Sequence, residues 1–212
     1  MFELKQVKYQ DIIDIKELII ERNKVTCIIG ESGSGKSTLI KLLNKLISCD
    51  CGEIYYNSKS LNELDSVELR RSVIMLPQTP AIFPGSIKEN LLIGLKFAEK
   101  PLAEDEKLSS ALQFVKLKKG LAEDADKLSG GEKQRLALAR VILMEPEVFL
   151  LDEPSSALDE ETEQLIIEAI VQYCRLNKKT LIMVTHSKKI AKTFAERTIE
   201  LRNGKVLAER EE

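Results

Sequence analysis

Gly30-Glu31-Ser32-Gly33-Ser34-Gly35-Lys36-Ser37-Thr38 satisfies the spacing G-x-x-x-x-G-K-[ST]. Those residue types suit one task, the cradling of phosphate groups. Successive backbone N–H groups of such a loop point inward at anionic oxygens, and glycines let the chain come close. Lys36 brings a full positive charge to the β and γ phosphates of a nucleotide, and the Ser37 hydroxyl can ligate Mg²⁺. A second pair of reactive groups stands at Asp152-Glu153, followed by Pro154. Two adjacent acids can divide the work: Asp152 holds Mg²⁺ through its water shell, and Glu153 orients or deprotonates an attacking water. Taken alone, Asp-Glu-Pro could as well cap a helix. His186 is the chain's one histidine. Ser129-Gly130-Gly131 forms a third cluster, a hydroxyl and two glycines where a helix could begin, which makes an anion site.

These groups need elements to hold them. Val25-Thr26-Cys27-Ile28-Ile29 reads as a buried strand leading into the phosphate loop. Apolar residues at Leu39, Ile40, Leu42, Leu43, Leu46 and Ile47 predict a helix over residues 37–46 immediately after it. Val148-Phe149-Leu150-Leu151 reads as a buried parallel strand with Asp152 at its C-terminal end. Thr180-Leu181-Ile182-Met183-Val184-Thr185 reads as another, with His186 at its end. In open α/β sheets ligands sit outside those strand ends. A helix is expected over residues 133–144, and a second over 160–174 with Ile166, Ala169, Ile170 and Tyr173 on its buried face. Short strands at Phe2-Glu3-Leu4, at residues 12–18 and at Gly52-Glu53-Ile54-Tyr55-Tyr56, the last followed by an Asn57-Ser58 turn, suggest an antiparallel β subdomain. Residues 84–127 carry helical spacing from Ile87 and again from Leu108 to Leu117, which predicts an inserted α-helical lobe. Asn203-Gly204 between Leu201 and Lys205 signals a two-residue hairpin.

Composition removes other classes. The chain has 212 residues with 32 Lys+Arg against 34 Asp+Glu, so its charge gives no reason to expect a nucleic-acid partner. Hydrophobic residues make up 43%, enough for a packed core. No apolar run exceeds four residues, far from the roughly 20 of a membrane span. The first residues show no apolar stretch of signal-peptide type. Cys27, Cys49, Cys51 and Cys174 lack the spacing of a disulfide scaffold or a zinc site, so a reducing, cytoplasmic setting is expected.

The motifs together resemble those of the ATP-binding cassette (ABC) ATPases. Leu128-Ser129-Gly130-Gly131-Glu132-Lys133-Gln134-Arg135 looks like the family signature. Leu150-Leu151-Asp152-Glu153-Pro154-Ser155-Ser156-Ala157-Leu158-Asp159 resembles the strand bearing the acids and the D-loop after it. Gln78, in Met75-Leu76-Pro77-Gln78-Thr79-Pro80, matches the Q-loop, His186 the H-loop, and Tyr9 the aromatic that stacks on adenine. They occur in the family's order from Tyr9 to His186.

The resemblance implies an α/β fold of the ABC ATPase type: a P-loop NTPase (RecA-like) core with an antiparallel β subdomain and an inserted helical lobe. The chain is then a single domain, 1–212, with the core in residues 1–83 and 128–212 and the lobe in 84–127. Expected cofactors are ATP and Mg²⁺, the metal held by Ser37, Gln78 and Asp152, with Lys36, Gln78, Glu153 and His186 as catalytic groups. The signature, Leu128 to Glu132, would contact ATP held by a second subunit, and Ser156, Ala157, Leu158 and Asp159 would form the D-loop. Expected partners are a second cassette, identical or different, and a separate multispanning membrane permease, which places the chain on the cytoplasmic face of a membrane. A soluble ABC ATPase that remodels a macromolecule is the alternative. The lack of a long heptad insertion, a second cassette or a zinc module favours the transport form. The short segment before the signature and Gln78-Thr79-Pro80-Ala81-Ile82-Phe83 look most like small bacterial cassettes paired with a separate permease, including a type linked to iron or metal export.

Overall fold

A computed structural model describes residues 1–155 and 158–211. Within them the chain divides into two compact units. The first holds residues 1–75, 147–153 and 171–211, and the second holds residues 76–146, 154–155 and 158–170.

The first unit contains two sheets. One is four-stranded, built from β1 (Phe2–Tyr9), β2 (Ile13–Ile20), β4 (Cys51–Tyr56) and β5 (Lys59–Ser60), in the order β2-β1-β4-β5 and antiparallel throughout. Alternation along β1 and β2 buries Phe2, Leu4, Val7, Ile13, Ile15, Leu18 and Ile20, as period-two spacing requires. A register shift between Lys5 and Lys8 absorbs the break in that alternation. Asn57 and Ser58 both adopt positive φ, 50° and 64°, and turn β4 into β5. This is the two-residue hairpin geometry that fits the right-handed strand twist.

The second sheet contains β3 (Val25–Ile29), β6 (Val73–Leu76), β7 (Val148–Asp152), β8 (Thr180–Val184), β9 (Arg197–Arg202) and β10 (Lys205–Glu211), in the order β10-β9-β3-β8-β7-β6. Its strands β7, β8, β3 and β9 run parallel, and β10 returns antiparallel. Every residue of β7 and of β8 is buried, which explains their unbroken apolar runs. The register is decisive for function. Asp152 stands opposite Val184, and Val184 opposite Ile28. The ends of β3, β7 and β8 are therefore level, and the phosphate loop, the acid pair and His186 leave the sheet on one edge. Helix α1 (Lys36–Leu43) contributes Leu39, Ile40, Leu42 and Leu43 to a core shared with Phe2, Leu4 and Ile15 of one sheet and Ile28, Leu150, Ile182 and Ile199 of the other.

Boundaries differ in places from those expected. Helix α1 stops at Leu43 instead of reaching residue 46, because Lys45 enters the left-handed region at φ 54° and Leu46 is 52% exposed. Strand β2 begins at Ile13, since residues 9–12 form a turn closed by the Ile12 N–H donating to the Tyr9 carbonyl at 3.1 Å.

Helix α2 (Ser66–Ser72) precedes β6. In the second unit α3 (Ile87–Phe97) and α4 (Asp105–Phe114) pack on α5 (Gly130–Leu143). Their meeting faces bury Ile87, Leu91 and Leu95, then Leu108 and Leu112, then Leu136, Ala139 and Leu143. Helix α5 starts at Gly130 and not at Lys133, because Ser129 caps it. This packing draws the signature helix together with the helices of residues 84–127, so the compact unit is larger than the inserted segment alone. Helix α6 (Glu160–Leu176) has its last turns, from Val171, in the first unit.

The β9–β10 turn carries more than the hairpin. Gly204 adopts φ +73°, and a Cβ placed on it would lie 2.2 Å from the Ile12 carbonyl oxygen. Its N–H donates to the Ser34 carbonyl at 3.1 Å, and its own carbonyl accepts from the Asp14 N–H at 2.9 Å. Gly204→Ala is expected to lower stability in urea unfolding by about 1–3 kcal/mol, the range for backbone strain. Asn203→Gly, which adds no atoms at the same turn, serves as the comparison, and equal midpoints for the two variants would contradict the close-approach account.

Candidate functional site

Strand β3 ends into the phosphate loop, whose glycines at 30, 33 and 35 all take positive φ. At Gly30 a side chain is impossible, since a Cβ would sit 2.2 Å from the Leu201 carbonyl oxygen and 2.7 Å from Ser34 Oγ. Gly35 caps α1 without any side-chain hydrogen bond, and no acid lies in the first turn. The N–H groups at that end are thus left for an anion, and the helix dipole favours one there. Ser34 Oγ is buried with no hydrogen-bond partner among the described residues. An orphaned hydroxyl in a loop of this form suits a phosphate oxygen.

Lys36 is 5% exposed. Its Nζ donates to the Gly30 carbonyl at 3.0 Å and to the Glu31 carbonyl at 2.9 Å. The cation is folded back across its own loop. Burial lowers its pKa, while Glu153 and Asp152 pull it upward. Both neutral carbonyl contacts can be exchanged for charged phosphate oxygens, which make roughly twice as strong a bond.

Ser37 Oγ donates to Asp152 Oδ1 at 3.0 Å, joining α1 to the end of β7. Asp152 is 4% exposed, and burial raises its pKa above the ordinary carboxyl range against the opposing Ser37 bond. Among the described residues no group of three His, Cys, Asp or Glu could hold a metal. A site with one hydroxyl and one carboxylate fits Mg²⁺, which keeps several waters and takes substrate phosphates as ligands.

Glu153 follows in the left-handed region at φ 48°, and its N–H donates to the Val184 carbonyl at 3.1 Å. That backbone aims its carboxylate along the sheet edge, where Glu153 Oε1 meets His186 Nε2 at 2.5 Å. The Glu153 side chain is 16% exposed and that of His186 49%, so a protected carboxylate faces a group open to ligand. A positive φ at a non-glycine residue costs of order 1 kcal/mol or more, which the surrounding structure must hold in place. The Thr185 N–H, donating to Ile28 O at 3.2 Å, fixes the strand end just before His186. Tyr9 ends β1 half-buried against the core, with Gln10 Nε2 3.4 Å from its hydroxyl. The turn that follows runs beside the loop: a Cβ on Gly35 would meet Ile13 Cδ1 at 2.8 Å.

The first unit thus brings together Tyr9, Gly30 to Thr38, Asp152, Glu153 and His186. Gln78, the signature and the described part of the D-loop belong to the second unit. There Ser129 and Glu132 cap α5 reciprocally. The Glu132 N–H donates to Ser129 Oγ at 3.4 Å and the Ser129 N–H to Glu132 Oε2 at 2.8 Å, a bond that holds the Glu132 carboxyl below its usual range. Leu128 is buried beneath this end, while Ser129 and Gly130 are exposed, with open space around Gly130. Gln78 is exposed in the loop after β6. Asp159 caps α6, accepting from the Thr162 N–H at 2.9 Å, and the Leu158 N–H donates to Ser155 O. Ser156 and Ala157 lie outside the described residues. Sequence reasoning missed the floor of the loop, Leu201 and Gly204. The hairpin signal at Asn203-Gly204 located the turn, but nothing in it pointed to residues 30–35.

With this geometry in place, comparison with known proteins finds that residues 14–156 match the family described as ABC transporter. Protein STAR1 of Oryza sativa subsp. japonica is 38% identical over 95% of this chain, which spans 58% of that relative's length. The phosphate import ATP-binding protein PstB 1 of Lactobacillus acidophilus is 35% identical over 94% of this chain and 78% of its own. A dimeric structure of the ATP-binding cassette MJ0796, in a post-hydrolysis state bound to ADP and Pi, superposes with a TM-score of 0.88 at 30% identity, covering 100% of this chain and 98% of that one.

The raised Asp152 pKa has a measurable consequence. The native protein binds this proton more tightly than the unfolded chain does, so the ionised carboxylate destabilises the fold at neutral pH, and the penalty fades as pH falls through the raised pKa. Asp152→Asn is expected to unfold at a higher urea concentration than the parent at pH 7 without nucleotide. The advantage shrinks on acidification, while Mg²⁺-dependent nucleotide binding weakens. A variant less stable than the parent at pH 7 contradicts the burial account.

Proposed function

This chain belongs to the ABC transporter family, and from that premise we propose that it is the ATP-hydrolysing subunit of a transporter whose membrane-spanning part is a separate chain. The observation that carries the hydrolytic part of the proposal is the contact of Glu153 with His186, one residue beyond the Asp152 carboxylate that holds Ser37, and the transport part is supported by the family alone. An acid pair, a histidine and a phosphate cradle on one sheet edge are the parts that cleavage of a terminal phosphate needs.

The N–H groups of residues 33 and 35–38 and the Ser34 hydroxyl receive the phosphate oxygens, and Lys36 swings from the Gly30 and Glu31 carbonyls onto the β and γ phosphates. Ser37, Asp152 and Gln78 would hold Mg²⁺, which neutralises phosphate charge when bound. Tyr9 offers its ring to adenine. Glu153 takes the proton of the attacking water as the oxygen bonds to the γ phosphorus. The bond from that phosphorus to the β–γ bridging oxygen then breaks, and ADP and phosphate leave. His186 orients Glu153 and faces the γ phosphate with its exposed ring.

A second phosphate-binding end, the capped α5 terminus at Ser129-Gly130-Gly131, is surplus to one ATP in one chain. Pairing head to tail uses it: the partner subunit's Ser129, Gly130 and Gly131 close over the γ phosphate. Two composite sites follow, identical and related by a two-fold axis where the second cassette is a copy of this chain, and unlike each other where it is a different one. Residues 79–84 would present Ile82 after Gln78 to a helix of the permease, whereas the Phe83 ring, expected beside it, is packed against Arg140 and Phe97. No described helix is long and apolar enough to cross a membrane, which is consistent with a peripheral place on the cytoplasmic face.

Lys36→Ala is expected to weaken ATP binding in calorimetry with Mg²⁺, whereas Glu153→Gln binds normally and loses turnover by about 10²–10⁴, the scale of lost general-base catalysis. In ultracentrifugation, Glu153→Gln with ATP should sediment as a dimer and without ATP as a monomer. Full turnover by Glu153→Gln removes it as the base. Co-purification with a multispanning membrane protein supports the transport reading, and turnover stimulated by nucleic acid in a membrane-free preparation supports the soluble alternative.

A further inference from the structure

The loop around and after Gln78 is stiff by composition, with prolines at 77, 80 and 84. It is also fastened at two points by side chains to which no role has so far been given. Asn90 lies within α3 and is fully buried. Its amide grips the Phe83 backbone from both sides: Oδ1 accepts from the Phe83 N–H at 2.9 Å, and Nδ2 donates to the Phe83 carbonyl at 2.8 Å and the Ser86 carbonyl at 3.1 Å. Arg140, on α5, donates from Nη2 to the Ala81 carbonyl at 2.7 Å. Its guanidinium lies 5.4 Å from the centre of the Phe83 ring, within cation–π range. That ring in turn meets Phe97 edge-on at 6.2 Å.

Arg140 reaches the loop by crossing α3 at Gly94, where an added Cβ would come within 2.8 Å of Arg140 Cγ. Its Nη1 is buried without a hydrogen-bond partner among the described residues, and burial lowers its pKa. A cation desolvated in this way is a weak source of stability, because an apolar chain of similar volume packs as well or better. The same residue is well suited to joining one element to another.

We propose that Arg140 and Asn90 are positioning residues that lock residues 81–83 onto α5 and α3, so that Gln78 and the Ser129 end of α5 shift as one piece during the ATP cycle. The inference rests on the roles given above to Gln78 and Ser129. Ser129 begins the helix that Arg140 holds, and α5 spans from Gly130 to Arg140 over about 15 Å at 1.5 Å per residue. A change sensed at Gln78 then displaces the phosphate-binding end of α5 without any intervening flexible joint. Phosphate binding in the first unit does not involve this lock, so its loss should spare ATP affinity and reduce turnover.

The test is a double-mutant cycle on the full chain, with ATP affinity and kcat measured separately. Arg140→Met should fold with an unfolding midpoint no lower than that of the parent, bind ATP with unchanged Kd, and lose ~10–100-fold in kcat, the scale of a misplaced reacting group. Gln78→Ala added to it should cost no more than the worse single change. Unchanged kcat in Arg140→Met, or a double loss equal to the product of the two single losses, overturns the proposal. Full turnover in Gln78→Ala alone would instead overturn the reading of Gln78. Hydrogen exchange then decides the lock by itself: the Phe83 amide must exchange faster in Arg140→Met while α3 stays protected, and equal exchange overturns it. Should Arg140→Met fail to fold, Phe83→Leu removes the ring beneath the guanidinium and must show the same split between Kd and kcat, and its absence overturns the proposal.

Discussion

The level ends of three parallel strands are the constraint on which the site depends. Ile28, Val184 and Asp152 share one register across β3, β8 and β7. A slip of one residue in any pair would exchange the side chains packed on the two faces of the sheet and move a functional group off the edge. Because β7 and β8 are buried on both faces, every residue resists such a slip. The chemistry of residues 30–38, 152–153 and 186 is therefore placed by hydrophobic burial some distance from any charge. The Ser37–Asp152 bond and the Glu153–His186 contact form because the sheet has already aligned their backbones.

Polar groups at that edge are held in states that a ligand would relieve. A lysine is folded onto carbonyls, a serine hydroxyl is buried without a partner among the described residues, and a carboxylate is raised by burial. Each costs folding free energy, and the apolar core beneath supplies it. Such preorganisation keeps the donors fixed, so little reorganisation is left for the moment of reaction. The loop's floor belongs to the same design. Leu201 and Gly204 bring backbone so close that only glycine fits, which ties the site's shape to the C-terminal hairpin.

The second unit solves a different problem. Its helices end in caps made locally, Ser86 with Glu89 on α3 and Ser129 with Glu132 on α5. Its less usual contacts, from Asn90 and Arg140, reach instead into a loop. Local caps fix where a helix begins, and long side chains fix what moves with it.

The sequence by itself determined whatever a few neighbouring residues decide. The phosphate loop, the Ser129 helix start, the Asn203-Gly204 turn and the buried strands at 148–152 and 180–184 are all written in backbone preference and local hydrophobic period, which act within one or two turns of chain. It also indicated that Asp152 and His186 stand at strand ends. Only the tertiary structure decided which ends meet. Ser37 finds Asp152 across 115 residues and Arg140 finds Ala81 across 59. Gly30 lies on Leu201, and α1 stops at Leu43 once Lys45 turns left-handed. Such contacts are fixed by the packing of whole sheets and helices, where the energy belongs to the shared core and no short stretch of sequence carries it.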